Sequence, residues 1–175
     1  MDPANEFKPE TGLWRYMDLA RFLALIDRKE LYFSRLHEFE DTWEGAWSPS
    51  HPLFAGNDPE YLKLGAIKFA ALPLVSCWHE NETESVAMWK LYLTGREGVA
   101  IKTTVASLIQ LFSTGRELKL GRVEYRDIDD FQHDPEVLVF EDWRCTGSRD
   151  FLPIERALFR KNKGYAHEQE VRAVV

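Results

Sequence analysis

SCWHENETESVAMWKLY, residues Ser76–Tyr92, changes its pattern once, and that change decides the fold class. With Leu74 and Val75 ahead of it, the run to His79 reads as a strand. Alternation puts Leu74, Ser76 and Trp78 on one face and Val75, Cys77 and His79 on the other. Glu80-Asn81-Glu82 then breaks the pattern. The spacing predicts a helix over Thr83–Leu93, capped by Asn81 or Thr83, with Glu82 or Glu84 in the first turn where the dipole favours a carboxylate. From Val86 to Leu93 only Lys90 is polar, so this helix is expected to be buried almost all round.

Working outward, the same alternation of strands and helices recurs. Towards the N-terminus, Leu13–Met17 reads as a first strand. Asp18 then stands ready to cap a helix, Leu19–Arg28, whose Leu19, Phe22, Leu23 and Ile26 share a face. Leu31–Ser34 (LYFS) reads as a second strand, and Asp58-Pro59 opens a helix to about Ala71. Towards the C-terminus, Gly98–Thr103 is a strand, Thr104–Phe112 a helix and Leu118–Tyr125 a strand with a Gly-Arg irregularity. Pro153–Asn162 is predicted helical and Tyr165–Val175 a closing strand, while Phe131–Asp150 fits neither period. No glycine-rich strand-to-helix turn of the phosphate or dinucleotide type occurs. The expected fold is α+β, a single domain over residues 12–175 with a mixed, mainly antiparallel sheet packed with helices. Residues 1–11 read as a flexible leader.

Composition narrows the function classes. The 175 residues are 45% hydrophobic and 13% aromatic, enough for a core and against disorder. A formal charge of −7 disfavours general nucleic-acid binding, which draws on clustered cations. Arg156–Lys163 is the one compact basic run and reads as the solvated end of a helix. Cys77 and Cys145 stand far apart, with no metal-ligand spacing, which fits a reducing compartment. No stretch is long and apolar enough to span a membrane, so the expected location is cytoplasmic and the expected partner a small molecule or a protein.

Polar side chains gather at the strand-to-helix corner: His79, Glu80, Asn81, Glu84 and Ser85. Such a corner is a common place for a ligand, and His79 there suits acid–base work near neutral pH. The same residues also read as helix caps and a hydrogen-bonded packing histidine. A carboxylate–His metal site built on His79, Glu80 and Glu84 has no ligand spacing to support it.

The Ser-Cys-Trp-His run, Glu84-Ser85, Ala87-Met88-Trp89 through Leu91-Tyr92, Gly98–Ile101, Leu13–Tyr16, Leu31–Ser34 and the late Glu168-x-Glu170-Val171-Arg172 together resemble a bacterial family of unknown function. The resemblance runs from about Leu13 to Val175 and implies a family without an activity. It also implies a further segment after the last strand, so a chain cut short at its C-terminus is one expectation.

If Tyr165–Val175 is one strand, Ala166, Glu168, Glu170, Arg172 and Val174 line one face at roughly 6.5 Å intervals. The order Arg15, Ser34, Glu168-x-Glu170 on first, second and last strands resembles the Arg–Ser–Glu arrangement of ADP-ribosyltransferases. That resemblance implies cofactor-binding roles for Arg15 and Ser34, with Arg172 beside them, and NAD as co-substrate. It implies catalytic roles for Glu170 and Glu168, joined by His79 and Glu84 from the corner. A salt-bridged ladder involving Glu170 and Arg172 explains the same residues structurally. The alternative to an enzyme is a non-catalytic binding module using the acidic, aromatic loop 38–47, with Trp43 and Trp47 among Glu38, Glu40, Asp41 and Glu44.

Overall fold

The computed structural model describes residues 7–39, 73–93, 97–112, 118–127 and 158–175. These residues mix helices with a mainly antiparallel sheet, an α+β arrangement as the sequence leads one to expect. The helix expected over 58–71, the stretch 131–150, Cys145 and most of the loop 38–47 lie outside the described residues.

Two compact units divide the chain. The first holds Pro3–Phe33, Val75–Arg122 and His167–Val175. Its sheet is built from β1 (Gly12–Asp18), β3 (Leu74–Glu80), β4 (Gly98–Thr104), β5 (Lys119–Arg122) and β8 (Glu170–Val174). Their spatial order is β4-β1-β3-β8-β5, and every neighbouring pair is antiparallel. In this unit α1 (Leu19–Arg28) follows β1, α2 (Val86–Tyr92) follows β3, and α3 (Val105–Gln110) follows β4. The other unit takes in Ser34–Leu74 and Val123–Ala166. Among its described residues are β2 (Ser34–Arg35) and a parallel pair, β6 (Glu124–Arg126) with β7 (Arg160–Asn162).

Register separates the sheet's two faces. Trp14 lies opposite His79, His79 opposite Glu170, and Cys77 opposite Arg172. Alternation then places Trp14, Tyr16, Cys77, His79, Glu170 and Arg172 on one face. Leu13, Trp78, Leu120, Val171 and Ala173 occupy the other, and all five are buried. Val105 and Leu108 of α3 and Phe7 complete that core, with Leu31, Phe33, Ile101, Phe112 and Leu118 packed around it. Each large aliphatic side chain buried there contributes about 1.5–3 kcal/mol.

Phe7 belongs to the stretch expected to be a flexible leader, yet residues 7–11 are tied to the core. The Phe7 ring is buried, and the carbonyls of Pro9 and Thr11 accept from Ala106 N–H and Val105 N–H at 3.0 and 3.1 Å. Those amides open α3, so the segment satisfies donors that a helix start leaves over.

Local signals held where side chain and backbone act together. Asp18 caps α1, its Oδ1 accepting from Arg21 N–H at 2.7 Å, and α1 spans the ten residues the pattern marks. Thr104 caps α3 in the same way, 3.2 Å from Ser107 N. At Gly98 a Cβ would overlap Leu93 Cδ2 and lie 3.1 Å from the Met17 carbonyl oxygen, so the turn into β4 needs glycine.

Several expectations fail for identifiable reasons. Leu31–Phe33 form no strand; the Tyr32 carbonyl there accepts from the Arg15 side chain at 2.9 Å, and β2 is only Ser34–Arg35. The helix expected from Thr83 begins at Val86, with Ser85 as its cap. Asn81 does not cap it: its side-chain amide turns to His79, while its backbone carbonyl accepts from the Trp14 indole at 2.9 Å. Nor is α2 buried all round: Met88 is its only buried residue, and Val86, Leu91 and Tyr92 are exposed. The apolar stripe of α1 is exposed too, at Leu19, Leu23 and Ile26. Arg160–Asn162, expected at a helix end, form β7 beside β6. The strand expected over Leu118–Tyr125 is interrupted at Val123, a buried residue between β5 and β6.

Candidate functional site

The corner after β3 and the closing strand meet. Their meeting depends on Gln169, whose φ of 40° puts a non-glycine residue in the left-handed region. Lys163–Glu168 wind as a 3-10 helix, Gln169 reverses the twist, and β8 runs from Glu170 to Val174. The expected continuous strand over Tyr165–Val175 is therefore corrected, and with it the shared face from Ala166 to Val174: only Glu170, Arg172 and Val174 alternate within β8. The Gln169 carbonyl accepts from Glu80 N–H at 3.0 Å, carrying the β3–β8 ladder to the corner.

His79 sits at the centre of this junction and is 2% exposed. Its Nδ1 lies 2.6 Å from the Glu168 carbonyl oxygen. A carbonyl only accepts, so Nδ1 carries the proton, and the Nε2 lone pair accepts from Asn81 Nδ2 at 3.3 Å. Tyr16 meets the imidazole edge-on at 6.2 Å between ring centres. The Tyr16 hydroxyl accepts from Ser85 N–H at 2.8 Å, and its ring packs edge-on to Trp89 at 5.0 Å. Tyr16 thus links β1, the corner and the start of α2.

Directly across the ladder from His79 is Glu170, 4% exposed. Two residues on, along the same face, is Arg172, completely buried. Arg172 Nε donates to Glu170 Oε1 at 2.7 Å and a second guanidinium nitrogen to Oε2 at 3.2 Å, a forked pair. The salt-bridged reading of these two residues is what the geometry contains. Burying such a pair is costly unless its geometry is good, which sets the row His79–Glu170–Arg172 apart from the opposite face, where the main apolar cluster lies.

Of the other candidates, Glu168 is buried and offers its carbonyl to His79. Glu84 is exposed, and its carboxylate accepts from the Trp89 indole at 2.9 Å. Glu80 is held by Arg122 at 2.6 and 2.9 Å. Among the described residues no group of three or more His, Cys, Asp or Glu is arranged to hold a metal ion.

Arg15 does not join Glu170. It shares the face of Leu13 and Trp78, where one guanidinium nitrogen donates to Ser76 Oγ at 2.8 Å, so the sheet lies between the two residues. Ser34 opens β2 in the other compact unit. Sequence reading missed Tyr16, although alternation in LWRYM already set Trp14 and Tyr16 apart from Leu13 and Arg15.

Residues 88–173 match a family described as "Protein of unknown function (DUF2971)". The matched span begins inside α2 and ends in β8; it includes Glu168, Glu170 and Arg172 and leaves out Arg15 and His79. Neither a curated protein nor a solved structure matches the chain.

Proposed function

We propose that the protein is an enzyme that cleaves NAD, in the manner of a glycohydrolase or an ADP-ribosyltransferase, from the polar face of its sheet. The observation that carries this reading is the junction of His79 with the closing strand, where Glu170 stands directly across from it. Breaking the nicotinamide–ribose bond sends the bonding electron pair to nicotinamide and leaves positive charge on the ribose. A carboxylate fixed in a dry site stabilises that charge far better than water does. Glu170 takes that role. His79, with its Nδ1 proton anchored on the Glu168 carbonyl, takes the part of the base: once the Asn81 amide swings off Nε2, that lone pair accepts the proton of the attacking water or acceptor hydroxyl. The left-handed Gln169 between Glu168 and Glu170 is the kind of local strain that gathers at working sites. Arg15 has no part in this version of the reaction, because it serves the other face.

The test is release of nicotinamide from NAD by the full chain. The wild type is expected to release it, and Glu170→Gln to reduce the rate by about 100-fold or more with the fold intact by circular dichroism. Release that is unchanged in Glu170→Gln removes the role of Glu170.

A second reading is favoured by one feature. Both Glu170 oxygens are engaged by Arg172, which also suits a scaffold. In that case the chain is a non-catalytic module that binds a ligand or protein through the acidic loop 38–47, and the wild type releases no nicotinamide.

A further inference from the structure

Among the described residues, Arg21 has a carboxylate within 4 Å in Asp18, Arg122 in Glu80, Arg126 and Arg160 in Glu124, and Arg172 in Glu170. Arg15 does not. It is half-buried in the middle of a sheet, and among the described residues no carboxylate pairs with it. Its position follows from the register of β1. That strand pairs with β4 along its whole length but is registered with β3 only at Leu13 and Trp14. Beyond Trp14 the Arg15 side chain bridges to β3 by donating to Ser76 Oγ at 2.8 Å, while a second nitrogen donates to the Tyr32 carbonyl at 2.9 Å.

The described neighbours fix the guanidinium without a carboxylate among them. Ser76 is fully buried, and its Oγ also accepts from the Trp78 indole at 3.1 Å, which holds the hydroxyl in place. The guanidinium carbon lies 5.7 Å from the Trp78 ring centre. Loss of hydration by burial is the main influence lowering the Arg15 pKa, and the cationic Arg21 adds to it. Cys77, Tyr92 and Tyr32 act in the opposite sense, and Tyr32 and Tyr92 are both exposed. A guanidinium has five N–H donors in a rigid fork, and the two contacts above leave donors to spare.

We propose that Arg15 is the anchor of a binding site for an oxyanion, a carboxylate or phosphate group on a small ligand, with Trp78 beneath the guanidinium and Tyr32 and Tyr92 near it at the surface. The bound anion supplies a counter-charge that no described carboxylate supplies. Ser76 and the Tyr32 carbonyl hold the fork ready, so little side-chain freedom is lost on binding. The site lies on the face of the sheet opposite Glu170 and does not depend on NAD cleavage.

The experiment is calorimetric titration of the full chain with inorganic phosphate and, separately, with malonate, with thermal unfolding in parallel. Wild type is expected to bind at least one of the two, and which one identifies the oxyanion class. Arg15→Met is expected to lose that binding while its melting temperature without anion equals or exceeds that of wild type, because a half-buried cation with no carboxylate beside it among the described residues has been removed. Arg15→Lys keeps the charge without the planar fork and is expected to bind about tenfold more weakly. Should Arg15→Met fail to fold, Arg15→Lys decides the matter alone. Failure of wild type to bind either anion at millimolar concentration overturns the proposal, as does equal affinity in wild type and either variant.

Discussion

Arg172→Met is expected to destabilise the protein by about 3–5 kcal/mol, the cost of taking a forked guanidinium away from a buried carboxylate. Glu170 is 4% exposed and Arg172 fully buried, in a strand with neighbours on both sides, so water does not readily take over the lost bonds. Glu170→Gln is expected to cost less, because the amide oxygen still accepts one of the two bonds from Arg172, although its NH2 group cannot accept the other and Arg172 loses its counter-charge. The double variant Glu170→Leu/Arg172→Met is expected to recover part of the loss, since neither charge is then stranded. Urea unfolding measures all three, read as a midpoint change at constant slope. A single Arg172→Met variant within about 1 kcal/mol of wild type would mean that the pair is not what balances Glu170.

Trp78→Ala is expected to cost about 3–5 kcal/mol through the cavity it leaves on the apolar face. Trp78 is 4% exposed and packs in the cluster of Leu13, Leu120, Val171 and Ala173. It also makes two polar contacts, the indole N–H to Ser76 Oγ and the ring beneath Arg15. Trp78→Phe separates these effects. It keeps most of the buried area and the ring face while losing the hydrogen bond, and is expected to cost about 1–2 kcal/mol. Equal losses in the two variants would show that the hydrogen bond, not the volume, is what Trp78 supplies.

What was legible in the sequence follows the range of the forces involved. Asp18, Leu19–Arg28 and Thr104 were readable because capping and periodicity act within one or two turns. The strands around His79 and Arg15 were readable because alternation survives in each alone. Which faces those strands share was not readable. It is set by pairings between β1, β3 and β8, which are far apart in the chain, and a shift of one residue exchanges the faces. Order along the chain groups Arg15 with Glu170 in the Arg–Ser–Glu resemblance, but order says nothing of faces, and the sheet separates the two.

Half of the candidate site was visible in the same way. His79 and the Glu168–Arg172 segment were each marked by their residue types, but their contact depends on the left-handed turn at Gln169. Glutamine carries no signature for positive φ, unlike glycine or asparagine, so the strand was read straight through it. Burial was the least legible property. The apolar stripe of α1 and the nearly unbroken apolar run of α2 are plain in the sequence, yet Leu23, Ile26, Val86 and Leu91 are exposed, because apolar patterning states what a helix can bury and not what covers it.

The central claim is that the corner at His79 and the closing strand form one ligand site. The most direct test is a two-dimensional amide NMR titration of the full chain with NAD. The expected result is a set of saturable shifts centred on His79, Asn81, Gln169 and Glu170. Saturable shifts confined to residues 38–47, or no shifts at millimolar NAD, would contradict it.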